Sequence, residues 1–283
     1  MFIAGMITSA CITTHNSQRV TTTAVIPIIA SMKTIDRELL DNYVHAKYLT
    51  TQKVGPLRIY NYTGKCNSHS EWTPVTLRMR GFIIEDATNT IIAQPMPKFF
   101  DMDKQMNIDW SKLLRIEEKI DGHLGVLFNY HGQWMISSRG RLDSFTATVA
   151  SKLLYSDAYD LSALPTSITY CVEVVHPDLR VVVPYDNAEL RMLCAFDTAT
   201  GNEIDQQQLL LFSQSCHMRL PQRHEPATLG MLSRLMHAAS SSSSIAEGFV
   251  LCFEHGFRLK AKLPRYLQLL TARHQRQHSL SKE

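Results

Sequence analysis

No stretch of the sequence approaches the roughly 20 consecutive apolar residues that a membrane-spanning helix needs, so no membrane partner is expected. Cysteine is sparse and unpaired. The six cysteines (Cys11, Cys66, Cys171, Cys194, Cys216 and Cys252) form no C-x-x-C pair and stand at no zinc spacing with histidine. Cys171, Cys194 and Cys252 lie in apolar runs, where a thiol acts as a small core residue. Reduced thiols and an intracellular, cytoplasmic protein are the expectation. The histidines do not cluster as ligands, and His123 and His176 each stand alone.

Acidic residues are absent from Met1 to Ser31, a segment rich in Thr, Ser and Ile. A secretory signal needs a basic start and a longer apolar run, and an organellar transit peptide needs more arginine than Arg19 alone. Residues 1–31 are therefore expected to be a disordered extension, with organellar targeting the weaker reading. The chain also lacks a large charge excess. A net charge of +3 does not by itself specify a nucleic-acid partner. The charge is concentrated at the end, where Arg258, Lys260, Lys262, Arg265, Arg273, Arg276 and Lys282 face Glu283 alone. For residues after Arg265 a phosphate-facing surface and a solvated helical tail are both open.

What is present suits a globular core. Hydrophobic residues make up 45% of 283, enough for one large domain or two small ones. Helical spacing begins at Thr34. Strand patterns follow at Leu57–Tyr60, Met79–Ile84 and Ile91–Ala93, and a hairpin is expected across His131-Gly132 from Leu124–Tyr130 to Gln133–Ser138. Ser144–Tyr155, Asp205–Cys216 and Pro226–Ala239 read as helices. Ile168–Val175, Arg180–Val183, Glu189–Phe196, Phe249–Phe253 and Phe257–Leu263 read as strands. Ser240 to Ser244 reads as a loop. The sum is an α+β fold with much antiparallel sheet.

The chemistry begins at Glu118-Lys119-Ile120-Asp121-Gly122. A lysine stands in a loop before a hairpin strand, with Asp two residues on and Gly after it. Lysine attacks only as the free amine, so its ordinary pKa of about 10.4 must fall. Gly122 permits a tight turn and a close backbone approach. Alone, K-x-D-G is weak, and a plain turn-forming role for Asp121 is the alternative. Ser138-Arg139-Gly140 follows at the end of the next strand. Cys171-Val172-Glu173-Val174-Val175 then puts one carboxylate inside an apolar strand, where it needs a cation, metal or hydroxyl. Glu247-Gly248-Phe249-Val250 opens another apolar strand. In Arg258-Leu259-Lys260-Ala261-Lys262, period-two spacing puts Lys260 and Lys262 on one face, where a polyanion between them would relieve their repulsion.

In this order the segments resemble the covalent nucleotidyltransferase superfamily of polynucleotide ligases and capping enzymes. Arg80-Gly81-Phe82-Ile83-Ile84-Glu85, Pro95-Met96-Pro97-Lys98-Phe99-Phe100, the stretch from Glu173 to Val182 and the stretch from Leu190 to Gly201 are similar to the RNA ligase 1 family of phage T4. The resemblance covers roughly Leu57 to Leu270. It implies a nucleotidyltransferase core, ATP-grasp-like, of antiparallel sheets flanked by helices. It also implies a ligase domain over 32–270, leaving 271–283 as a basic tail.

The resemblance implies an ATP-dependent RNA ligase that joins a 5′-phosphate to a 3′-hydroxyl through lysyl-AMP and RNA-adenylate. Its residue roles carry over as expectations. Lys119 is the nucleophile, and Asp121 holds the ribose or orients Lys119. Arg139 contacts the ribose or the acceptor 5′-phosphate. Glu173 and Glu247 address the ribose and a divalent metal, Mg²⁺ or Mn²⁺. Arg80, Lys98, Lys260 and Lys262 cradle the triphosphate and lower the pKa of Lys119. Phe100 supports the nucleoside pocket or simply packs the core, and Glu118 and Gly122 complete the nucleotide-binding set. A kinase or phosphatase acting in trans would heal the RNA ends. Family members carry a helical domain after the K-x-K strand, and only about twenty residues follow Lys262 here. Single-stranded ends or circularisation are therefore expected over nicks. Two alternatives stay open: a non-catalytic RNA-end-binding module on the same fold, and another nucleotidyltransferase such as a DNA ligase or capping guanylyltransferase.

Overall fold

The computed structural model describes residues 34–69 and 72–280. The expected extension over 1–31, and Cys11 within it, lie outside the described residues. Helix α1 (Arg37–His45) is capped by Asp36, whose carboxylate accepts the Leu39 amide. Strands β1 (Leu49–Val54) and β2 (Leu57–Tyr62) follow, then short helices α2 (Gly64–Ser68) and α3 (Pro74–Arg78), then β3 (Arg80–Glu85) and β4 (Ile91–Ala93). These four strands form an antiparallel sheet in chain order. Next come β5 (Phe100–Asp101), β6 (Leu113–Lys119), β7 (His123–Tyr130), β8 (Gln133–Ser138), α4 (Phe145–Leu154), β9 (Ile168–Val175) and β10 (Glu189–Asp197). A second sheet runs β10-β9-β7-β8. The remainder is α5 (Gln206–Ser215), β11 (Arg223–His224), α6 (Leu229–Ser241), β12 (Gly248–Phe253), β13 (Arg258–Lys262) and α7 (Pro264–Leu280). The third sheet runs β11-β6-β12-β13-β5, antiparallel except for β13 beside β5.

Period-two alternation sorts the side chains into layers. In β2 and β3, Tyr60, Tyr62, Phe82 and Ile84 point to the helical side with Leu40, Cys66 and Val75. Leu57, Ile59 and Ile83 point the other way and meet Val126 and Phe128 of β7. The neighbouring Leu127 turns to the opposite face, where Tyr170, Val172 and Val174 of β9 pack with Val149, Leu154 and Leu209 of the covering helices α4 and α5. The first two sheets thus stack face to face between helices. In the third sheet Ile116, Phe249, Leu251, Leu259 and Ala261 pack on Leu232 of α6. Its opposite face carries the charged residues.

Several expectations shift in register. The hairpin stands as expected, with β7 starting one residue earlier, but α6 begins at Leu229, later than Pro226, and runs to Ser241, into the expected Ser240–Ser244 loop. Lys119 is the last residue of a strand and not a loop residue. Arg180–Val183 is irregular, because the amides of Val182 and Val183 are taken by the Asp121 carboxylate, which leaves no donors for a ladder at those residues. Helix α7 runs through the boundary expected at 270, opened by Pro264 at its first position. Arg273 on it donates to the carbonyls of Arg180 and Val181. Cys171, Cys194 and Cys252 are buried free thiols.

Phe128 is fully buried at the seam between the first two sheets. Phe128→Ala should cost about 3–5 kcal/mol of stability, read as a lowered urea midpoint. A loss below about 1 kcal/mol would contradict this packing.

Candidate active site

The charged face of the third sheet follows from strand register. Odd residues of β6 (Arg115, Glu117, Lys119) and even residues of β13 (Arg258, Lys260, Lys262) share the face away from α6. Gly248 of β12 pairs with Lys119 on one side and Lys262 on the other. A glycine between two lysines leaves the space between them open. No other residue fits there: Gly248 has φ +140°, and an added Cβ would lie 2.1 Å from the Ala261 carbonyl oxygen. Glu247, one residue earlier, fills that space. Its Oε2 accepts from Lys119 Nζ at 2.8 Å, and its Oε1 meets Lys262 Nζ at 3.1 Å. The carboxylate is nearly sealed from solvent.

The two residues after Ile120 do different work. Asp121 is buried and saturated. Tyr266 Oη donates to Oδ1 at 2.6 Å, and the Val182 and Val183 amides donate to Oδ2 at 2.8 and 2.7 Å. Its own amide donates to Tyr185 Oη at 3.1 Å. Gly122 lets the turn press on β9: an added Cβ would sit 2.5 Å from the Val174 carbonyl oxygen. Its amide donates to Glu173 Oε1 at 3.1 Å. Glu173 thereby faces Lys119 from the second sheet.

The electrostatics correct one expectation. Surrounding cations do not lower the pKa of Lys119. Burial pushes it down most strongly, but the charges of Glu247 and Glu173 and the hydrogen bond to Glu247 together outweigh burial, and Arg80 opposes them only in part. Lys119 therefore rests as an ammonium, with its pKa raised. The depressed amines are its neighbours. Burial, then Lys98 and Arg80, push Lys260 down to about 6. Burial, then Arg80, push Lys98 down to about 8. Burial, reinforced by Glu247, raises Glu173 to about 7.

These groups open on a cleft of about 480 Å³ between the second and third sheets. Among the expected site residues, Arg80, Glu118, Lys119, Asp121, Gly122, Arg139, Glu173, Glu247 and Lys260 line it. Lys262 acts from behind, through Glu247. Lys98 and Phe100 stand outside the lining. The Lys98 amine lies 5.0 Å from the Phe100 ring centre, and Phe100 packs edge-on against Trp72. Phe99, next to Phe100 in the chain, does line the cleft, with Lys260 Nζ 4.7 Å from its ring centre.

Four residues of the site escaped sequence reasoning. Tyr266 and Tyr185 hold Asp121, and Phe99 sits under Lys260. Arg258, counted only as part of a basic run, is buried in an ion pair with Glu203; burial works against its charge but the pairing carboxylate prevails and raises its pKa. Tyr266 had one faint signal, as the single aromatic in the basic stretch after Lys262.

Glu173 and Glu247 are the carboxylates that flank Lys119. Among the described residues no group of three or more His, Cys, Asp or Glu stands together. A hard cation held mainly by water and phosphate oxygens needs only one or two carboxylates. The donor set fits such an ion and not a protein-caged metal.

A family profile described as RNA ligase, of the T4 type 1 group, matches residues 78–266, two thirds of the chain. The chain belongs to this RNA ligase family. A provisionally named RNA ligase of Thermovibrio ammonificans is 23% identical over 138 residues, 46% of this chain and 36% of that protein. An archaeal ATP-dependent RNA ligase structure superposes with TM-score 0.61 and 13% identity over 83% of this chain and 63% of that one. A provisionally named ATP-dependent DNA ligase from Aquifex aeolicus gives TM-score 0.60 and 16% identity over 82% and 63%. The likeness shows a shared nucleotidyltransferase fold. This RNA ligase family member spans about 63% of those solved structures and 36% of the curated relative. Among the described residues no helix is long and apolar enough to cross a membrane.

Removing the hydroxyl that braces Asp121 leaves a buried carboxylate oxygen without a donor. Tyr266→Phe should lower stability by about 1–3 kcal/mol and speed amide exchange at Val182 and Val183. Unchanged stability and exchange would show that Asp121 is held without it.

Proposed function

We propose that this chain is an ATP-dependent RNA ligase that joins a 5′-phosphate to a 3′-hydroxyl, with Lys119 as the nucleophile. One observation carries the reading: Lys119 is fixed by Glu247 at the floor of a cleft whose walls hold Glu173, Arg80, Arg139 and Lys260. A buried amine clamped in place is wasteful for packing and apt for in-line attack on phosphorus.

Three displacements follow. The proton on Lys119 Nζ is lost to solvent, against the hold of Glu247. The amine then attacks the α-phosphorus of ATP, the bond to the β-phosphate oxygen breaks, and pyrophosphate departs. The RNA 5′-phosphate next attacks the phosphorus of lysyl-AMP and frees Lys119. Last, the 3′-hydroxyl attacks the 5′-phosphate of RNA-adenylate and expels AMP. Asp121 serves by position: braced by Tyr266 and two amides, it holds the turn that aims Lys119. That engagement supports orientation over ribose contact. Lys260 and Arg80 face the triphosphate, and Arg139 the acceptor phosphate. Lys98, behind them, contributes field and packing. Glu173 and Glu247 would hold a divalent cation, Mg²⁺ or Mn²⁺, which supplies charge neutralisation on the phosphates when bound. RNA ends lacking the right phosphate would need a kinase or phosphatase acting in trans.

The direct test is end joining of 5′-phosphorylated single-stranded RNA, nicked duplex and a broken stem-loop, with ATP and Mg²⁺. The wild type should seal at least one of them, and Lys119→Ala none. Sealing by the alanine variant would refute the assignment of the nucleophile.

Charge states give two further expectations. Lys119 has its pKa raised, so the reactive amine grows with pH. The single-turnover rate of lysine adenylylation should therefore rise about tenfold per pH unit from 6 to 8.5; a plateau below pH 8 would contradict the Glu247 clamp. Lys260, at about 6, is largely neutral at pH 8, and an arriving triphosphate favours its charged form. ATP binding at pH 8 should take up protons, seen as a dependence of the calorimetric enthalpy on buffer ionisation heat. Proton release would contradict it.

A further inference from the structure

Single-stranded RNA needs a place for its bases as well as its phosphates. One candidate stands next to the cleft on α4, outside the lining itself. Phe145 opens α4 with 62% of its surface exposed. Its neighbours on either side, Ser144 and Thr146, both line the cleft. The rest of the helix turns inward through Ala147, Val149, Ala150 and Leu154. The ring therefore contributes nothing to the core, and the helix would fold with a polar residue in its place. A lone exposed apolar residue is ordinary. This one stands on the segment that also carries Arg139, whose guanidinium lines the same cleft and has no ion-pair partner among the described residues.

The segment is rigid. Ser138 and Arg141 close a tight turn, with Ser138 N donating to Arg141 O at 3.0 Å and Arg141 N to Ser138 Oγ at 3.2 Å. Gln52 of β1 ties it down twice, accepting from the Leu142 amide at 3.0 Å and donating to Asp143 Oδ1 at 2.7 Å. Ser144 caps the helix by accepting from the Ala147 amide at 3.2 Å. A ring held on such a frame loses little freedom when a ligand packs on it.

We infer that Phe145 is the stacking platform for a base at the RNA end sealed in this cleft, with Arg139 of the same segment inside the cleft for the backbone phosphate. The inference rests on the ligase reading. Stacking is indifferent to sequence because every base has a π-face, which suits an enzyme that joins ends. The platform adds affinity for the RNA and takes no part in bond making.

The test is equilibrium binding, without ATP, of a short fluorescent 5′-phosphorylated single-stranded RNA of mixed sequence to the full chain. Phe145→Ala should weaken binding by about five- to a hundredfold, the span for one stacked base. Phe145→Tyr and Phe145→Trp should bind like the wild type, and Phe145→Leu like the alanine variant. Exposure of the ring makes all four variants foldable, which thermal unfolding checks. The inference is overturned if Ala or Leu binds like Phe, or if the loss appears for ATP and not for RNA. Because the assay needs no chemistry, unchanged RNA affinity sinks this inference alone, whereas absence of a Lys119 adduct sinks the ligase reading.

Discussion

Glu247 holds two lysines with one carboxylate, and the geometry of the cleft follows from that grip. The pairing row Lys119, Gly248, Lys262 crosses three strands, so the two lysines start two strand spacings apart, about 10 Å, and their amines converge over the glycine. Left alone they would repel. A carboxylate reaching from the residue before the glycine converts that repulsion into an ordered triad. The glycine is required twice, for its backbone angle and for the room it leaves. Removing Glu247 would thus release the Lys119 amine and expose the repulsion together. Its effect would exceed that of an exposed ion pair.

A second constraint works from the far end of the chain. Asp121 draws the 182–183 loop and Tyr266 of α7 onto the turn that follows Lys119. Lys119 is therefore positioned from two sides, by Glu247 through its amine and by Asp121 through its backbone. The cations that face an incoming anion are kept differently. Burial and mutual repulsion hold Lys260 and Lys98 toward neutrality in the free cleft. An anion bound there would restore their charge by proton uptake, and without that charge the crowded cations repel less. The proposed stacking ring next to the cleft extends the same logic to the apolar part of a substrate.

How much of this was legible in the sequence depends on how local each cause is. The alternation in Arg258 to Lys262 gave the charged face directly, because period two is intrinsic to a strand. Gly122 announced a close approach, whereas that of Gly248 shows only once β12 lies between β6 and β13. The layered α+β core followed from the strand patterns of β2, β3, β7 and β9. What stayed hidden depends on partners far along the chain. Leu113–Lys119 has four charged residues in seven and does not read as a strand until Phe249 and Leu251 pair with it. Arg180–Val183 reads as a strand because it is rich in valine, yet a carboxylate sixty residues away claims its amides. The direction of the Lys119 pKa was misjudged for a related reason: counting nearby cations omits which charges touch, and Glu247 touches.

The central claim is that Lys119 becomes covalently bound to AMP. Incubating the chain with ATP and Mg²⁺, without RNA, and mapping its peptides by mass spectrometry tests it most directly. The account predicts a mass increase equal to one AMP on the peptide containing Lys119, reversed by pyrophosphate. An adduct on another residue, one formed with GTP and not ATP, or none at any pH up to 9 would contradict it.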